Sequence, residues 1–302
     1  VQIAVAATPE VALPTLEALL ESEHDLVSVI TQPDRPAGRG LALKESPVAI
    51  WAKDRGISVS KPVDQVELKR AVADIDLVIT IGFGVIIKEE ILNLPKYGFI
   101  NLHFSLLPKW RGAAPVQRAI EAGDQTTGVT VFKLDKGMDT GPIYRQKEIA
   151  MPHQATTASL LQELAVAGAP VVLNAISAIE ANEAPVNQSV DSASRADKLS
   201  KDEGRIDWLD ASLIIERKIR AFYPAPGAWT TFRNEAIKIE SAMARETKAG
   251  VPGEISLEGK ELFVSTSEGS LQILKVKPAG KASMDAASWI NGVRIEQHER
   301  FI

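Results

Sequence analysis

The apolar positions follow two alternating periods along the first half of the chain. "QIAVAA" (Gln2–Ala7) is a short apolar run that suits a buried strand. "LPTLEALLES" after it has helical spacing, with Pro14 in the first turn. "DLVSVIT" (Asp25–Thr31), "DLVITI" (Asp76–Ile81) and "GFINLHF" (Gly98–Phe104) predict further strands. "SPVAIWAKDRG" predicts a helix capped by Ser46, opened by Pro47 and stopped at Gly56, and "PVQRAIEAG" predicts another that ends on glycine. Strands alternating with helices indicate an α/β fold with a doubly wound, mostly parallel, Rossmann-like sheet. "GVTVFKLD" and "GPIYRQKEIA" alternate at period two and predict an added antiparallel pair. The stretch from Thr157 to Ala181 predicts a long helix covering the sheet.

The pattern then changes. Residues 183–205 are polar, rich in small side chains and weakly periodic, which predicts a linker between a first domain over 1–182 and a second domain over 206–302. "SLIIERKIRAF" (Ser212–Phe222) predicts a helix. The runs "AWTTF", "AIKIESA", "GEISL", "ELFVST" and "SLQILKV", separated by turn residues, predict a small OB-like β-barrel.

Composition narrows the function classes. The 302 residues contain no cysteine, which removes disulfides, thiol nucleophiles and thiolate metal sites. No apolar run is read as reaching the ~18 residues of a membrane span. The opening strand-like residues do not resemble a signal peptide, so a cytoplasmic location is expected. Net charge is −5, but it is uneven: residues 195–302 carry +1 and residues 1–194 carry −6. Bulk charge therefore neither demands nor forbids a nucleic-acid partner.

Three motifs carry candidate chemistry. In "INLHF", Asn101 and His103 are two residues apart on a strand, so both project from one face, at the carboxyl end where open α/β sheets bind ligands. An amide donor beside a group that titrates near neutral pH suits a reaction that builds negative charge on a carbonyl oxygen and moves a proton. A satisfied polar pair at a strand end would look the same. In "KLDKGMDTGPIY", Asp139 lies in a glycine-bracketed loop and would favour the imidazolium of His103, although a turn aspartate is the plain alternative. "TQPDRPAGRGLALK" holds Arg35, Arg39 and Lys44 on a loop stiffened by proline and glycine, suited to phosphates and base edges or to a solvated surface. No G-x-G-x-x-G follows the first strand, which argues against a nicotinamide cofactor.

Taken together, "FINLHFSLLPKWRGAAPVQRAI", "GMDTGPI", "TQPDRPAGRG", "KLSKDEGRIDW" and "LKVKPAGKASM" resemble the methionyl-tRNA formyltransferase family over essentially the whole chain. The resemblance implies transfer of the formyl group of 10-formyltetrahydrofolate to methionine on initiator tRNA. It implies Asn101, His103 and Asp139 as catalytic residues, no metal, and a monomer without an obligate protein partner or membrane. It further implies that Ser105, Leu106, Leu107 and Pro108, with Gly82 and Ile86, meet the folate. Arg35, Arg39 and Lys44, with Lys218, Arg220, Arg233 and Lys238 of the barrel, would meet the tRNA. Phe104, where many members have a small residue, departs from the pattern. A formyltransferase acting on a small amine, such as an amino sugar or glycinamide ribonucleotide, shares Asn-x-His and the aspartate. An RNA-binding module with an inactive folate-type fold is the reading from a different class.

Overall fold

β1 (Gln2–Ala7) is buried over five of its six residues, as a central strand covered on both faces must be. The computed structural model describes residues 1–37, 42–247 and 250–302. The chain divides into two compact units, one of residues 1–115, 126–150 and 161–196, the other of residues 116–125, 151–160 and 197–302.

After β1 come α1 (Leu13–Leu20), β2 (Asp25–Ile30), β3 (Arg35–Ala37), β4 (Ala42–Lys44), α2 (Pro47–Asp54), β5 (Ser58–Ser60), α3 (Gln65–Ala71), β6 (Leu77–Ile81), α4 (Glu89–Leu92) and β7 (Phe99–His103). α5 (Pro115–Ala122), β8 (Thr126–Lys133), β9 (Ile143–Ala150) and α6 (Thr157–Glu180) follow. The sheet order is β5-β2-β1-β6-β7-β8-β9, parallel through β7 and antiparallel from β7 to β9. The direction of winding reverses between β1 and β6. That switch point opens the crevice where doubly wound sheets take ligands, at the carboxyl ends of β1 and β6 and next to β7.

The local signals explain the elements. Ser46 accepts a bond from Ala49 N at 3.0 Å and Pro47 opens α2, as the sequence predicts. α3 was not predicted, yet it carries a clear signal: Asp64 caps both Val66 N and Glu67 N at 2.9 Å, and Glu67 returns a bond to Val63 N. The arginine loop, expected to be irregular, contains the two-stranded β3–β4 ribbon. Pro36 masked it, because proline is tolerated only on an edge, and both strands of a ribbon are edges.

An 18-residue window of α6 has a mean hydropathy of 1.5, enough by length and composition to cross a membrane, which corrects the expectation that no run was so apolar. Leu164, Val172 and Ile176 are buried, so this apolarity serves the core. Gly168 is a point of close approach: a Cβ there would lie 2.8 Å from Leu102 Cδ2. α6 therefore meets the Leu102 face of β7, leaving Asn101 and His103 on the other face.

The second unit holds α7 (Ser212–Phe222), β10 (Ala228–Phe232), β11 (Glu235–Arg245), β12 (Ile255–Glu258), β13 (Glu261–Ser265), β14 (Ser270–Pro278), β15 (Met284–Asp285) and α8 (Ala286–Val293). β15 and α8 were not predicted. The path β10-β11-β14-β13-β12 leaves β10 and β12 at opposite edges. Residues 299–302 lie between those edges: Ile302 exchanges bonds with Thr231 at 3.0 Å, Ile255 N donates to Glu299 O, and Phe301 N donates to Gly253 O. The expected barrel is thus bridged by this segment. Phe301 anchors it, 2% exposed and stacked on Trp208 and Trp289.

Candidate active site

β7 places its two polar residues by register. Asn101 pairs with Thr80 of β6 and Phe132 of β8, and His103 pairs with Thr130 of β8. Asn101 is half-buried, and among the described residues its amide has no protein hydrogen-bond partner. His103 is 5% exposed, with its ring edge-on to Phe132.

His103 Nε2 lies 2.9 Å from the carbonyl oxygen of Trp110, which can only accept. The ring proton is therefore on Nε2 in the neutral form, and Nδ1 faces Asp139 Oδ2 at 3.8 Å. Burial pushes the His103 pKa below the ordinary histidine range. Asp139 and the Trp110 carbonyl pull it back only in part. This corrects the expected resting imidazolium: removing the charge from water outweighs the nearby carboxylate. The pair is poised with an unprotonated Nδ1.

Asp139 is a turn residue, and it also reaches the histidine. Its backbone is left-handed, φ 53°, a conformation aspartate tolerates better than most residues. Oδ2 accepts from Gly112 N at 2.8 Å. Asp135 shapes the loop by accepting from Gly137 N and Thr140 Oγ1. A Cβ on Gly141 would lie 1.8 Å from Lys133 O, so only glycine brings the loop back this tightly against β8.

Residues 186–196, expected to be linker, contact this site. Val186 exchanges backbone bonds with Ile143, Ser194 Oγ accepts from Trp110 N at 2.9 Å, Arg111 N donates to Ser194 O, and Ala196 N donates to Arg111 O. Gln188 donates to Asp139 O at 2.9 Å and Gly141 O at 2.7 Å, and accepts from Arg111 Nε and Nη2. Composition alone hid this, because a small polar segment looks the same whether it bonds to water or to a loop.

The sequence family described as Formyl transferase matches residues 1–176, and that described as Formyl transferase, C-terminal domain, matches residues 198–294. The chain is 40% identical over 308 residues to the methionyl-tRNA formyltransferase of Salinispora tropica and 41% identical over 307 residues to that of Thermobifida fusca. Each alignment covers 99% of both chains. This chain belongs to the methionyl-tRNA formyltransferase family. Among solved structures, HypX from Aquifex aeolicus in complex with tetrahydrofolic acid superposes with a TM-score of 0.70 at 19% identity. The match covers 99% of this chain and 48% of the longer one, which shares the fold.

The remaining positions implied by the formyltransferase family divide into groups. Ser105 and Leu107 are buried: Thr130 Oγ1 donates to Ser105 O and accepts from Leu107 N, and Gln146 donates to Leu107 O. Leu106, whose Cδ2 lies 2.6 Å from where a Cβ on Gly128 would be, is half-buried, as is Pro108. The loop is thus fixed in place, with Leu106 and Pro108 its more accessible members. Gly82 has φ 55° and packs on Pro9, and Ile86 is 86% exposed. An open cavity of about 350 Å³ adjoins this segment, lined by Gln32, Arg35, Gln65, Phe83, Gly84 and Val85.

Arg35 and Lys44 face each other across the β3–β4 ribbon, both exposed. Arg35 donates to Gln32 Oε1, and Arg39 lies outside the described residues. In the second unit, Lys218 reaches Arg205 O and Lys238 reaches Pro226 O. Arg233 is exposed but clamps Glu299 through two nitrogens. The expectation for Arg220 is corrected. It forks onto Glu216, whose side chain is 5% exposed, and donates to Ala155 O, so its charge is spent inside the unit.

Proposed function

We propose that this chain transfers the formyl group of 10-formyltetrahydrofolate to the α-amino group of methionine on initiator tRNA, giving N-formylmethionyl-tRNA and tetrahydrofolate. Its family supports the reaction. The observation that carries it is His103, seated with Nε2 on the Trp110 carbonyl and Nδ1 facing Asp139, beside the unengaged amide of Asn101 on the same strand face.

The methionine amine attacks the formyl carbon, a C–N bond forms and the carbonyl oxygen becomes an oxyanion. Asn101 donates to that oxygen; one such donor is worth roughly 10²–10³ in rate. His103 Nδ1 takes the proton released by the attacking nitrogen. Asp139 then faces an imidazolium, which it stabilises inside a buried site. When the oxyanion collapses, the bond to nitrogen 10 breaks and that nitrogen takes the proton from His103. The cycle closes with no net proton change on the protein.

For the tRNA, the ribbon carrying Arg35 and Lys44 supports the reading. Like charges directly opposite on paired strands repel, and an anion between them relieves that cost. This ribbon flanks the segment that contains Arg39.

The test is release of tetrahydrofolate from 10-formyltetrahydrofolate with Met-tRNA or with an amino sugar nucleotide as acceptor. Turnover with Met-tRNA alone is expected. Turnover with the amino sugar alone overturns the proposal.

A further inference from the structure

Two non-glycine residues flank the His103 ring, and both have left-handed backbone: Trp110 at φ 65° and Asp139 at φ 53°. Trp110 holds Nε2 through its carbonyl, and Asp139 faces Nδ1 through its carboxylate. Such conformations are costly for residues with a Cβ, and they persist where the surroundings over-determine them. Both are held by the same stretch of chain, residues 186–196. Ser194 Oγ accepts from Trp110 N, and Gln188 donates to the carbonyls of Asp139 and Gly141.

We infer that residues 186–196 are a positioning strap for the His103–Asp139 pair, and that Gln188 is the residue that sets Asp139. This inference rests on the formyl-transfer reading above.

The hydrogen bonds of Gln188 fix its orientation and leave nothing to spare. A primary amide offers two donors and two acceptor lone pairs. Carbonyl oxygens only accept, so Nε2 must point at Asp139 and Gly141. A guanidinium only donates, so Oε1 must point at Arg111. All four places are filled, at 2.7–3.1 Å. The two carbonyls that Gln188 grips belong to Asp139 and to Gly141, which returns the chain to β8. The grip thereby fixes the loop from the left-handed residue to that return. Arg111 follows Trp110 directly, so the one amide also ties the two sides of the imidazole together.

Gln188→Glu separates positioning from bulk stability. It keeps the side-chain size and turns the Arg111 contact into an ion pair, but it presents oxygen to two carbonyl oxygens. We expect kcat to fall about tenfold or more, with KM for Met-tRNA and for 10-formyltetrahydrofolate within about twofold of wild type and Tm nearly unchanged. Val190→Ala, at a position 80% exposed on the same segment, should leave turnover unchanged. In an Asp139→Asn background Gln188→Glu should add little, because its effect passes through that carboxylate. A kcat within about threefold of wild type overturns the inference, and so does a loss that multiplies in full with Asp139→Asn. If Gln188→Glu does not fold, Ser194→Ala decides: reduced kcat at unchanged KM supports the strap, and unchanged kcat overturns it. Wild-type protein that fails to formylate Met-tRNA would refute the proposed function itself. Active wild type with active Gln188→Glu refutes the strap alone.

Discussion

His103 donates its Nε2 proton to the carbonyl oxygen of Trp110 across 2.9 Å, which turns an unprotonated Nδ1 toward Asp139 Oδ2 at 3.8 Å. This one bond fixes the tautomer and so the direction in which the ring can move a proton. A shorter His–Asp contact would have suggested a permanent ion pair. At 3.8 Å the pair engages fully once the ring gains a proton.

Removal of any of the three side chains proposed to take part in the chemistry should strike turnover before binding. Asn101→Ala, His103→Ala and Asp139→Ala are each expected to lower kcat by about 10²-fold or more, with KM for Met-tRNA little changed. Steady-state kinetics with Met-tRNA varied at fixed 10-formyltetrahydrofolate reads this directly. Near-normal turnover in one variant removes that residue from the chemistry.

The acid limb of kcat/KM should lie below pH 6.5, the ordinary value for histidine, because burial depresses the pKa of His103. The ring must be neutral to accept a proton, so activity is lost as pH falls through the folded pKa. Asp139 raises that pKa, so Asp139→Asn should move the limb to lower pH.

The same shift acts on stability. The unfolded chain binds a proton below about pH 6.5 that the folded chain refuses, so folding weakens as pH drops from there toward the depressed folded value. Thermal melts from about pH 7.5 down to about pH 5 should show wild type losing more than His103→Asn. Equal losses in both proteins would assign the acid sensitivity to other groups.

Arg220 should behave as a structural residue. Its loss leaves the Glu216 carboxylate buried without its partner, a defect of about 3 kcal/mol or more when such pairs are broken. Arg220→Ala is expected to lower Tm by several degrees, with KM for Met-tRNA unchanged in the folded protein. A raised KM at normal Tm would return Arg220 to the tRNA surface.

Arg39 carries the opposite expectation. Arg39→Ala should lower kcat/KM for Met-tRNA while leaving KM for 10-formyltetrahydrofolate unchanged. KM for Met-tRNA should also rise steeply with salt, as expected when phosphates are neutralised by basic side chains. Unchanged kcat/KM in Arg39→Ala would exclude the segment beside the β3–β4 ribbon from recognition.

Where the core imposes a period, the fold could be read from the sequence. β1 and α7 have the predicted limits, because each has one dominant apolar pattern and a proline stands two residues past its end, Pro9 after β1 and Pro224 after α7. Phe104, immediately after β7, is 8% exposed and belongs to the buried apolar residues. The ribbon at Arg35–Ala37 and Ala42–Lys44 could not be read this way. Arg35, Pro36, Leu43 and Lys44 are all exposed, so consecutive positions show no alternation of buried and exposed side chains.

The sequence by itself determined the alternation of strands and helices, the placing of Asn101 and His103 on one face of β7, and the presence of a carboxylate on a glycine-bracketed loop. Those features follow from periodicity and from residue chemistry, which are local. Only the tertiary structure decided that burial would depress the pKa of His103, that Arg220 would turn inward to Glu216, and that a polar segment would close on the Asp139 loop through Gln188. Each of these depends on which groups are removed from water together, and that is a property of chain segments far apart in sequence.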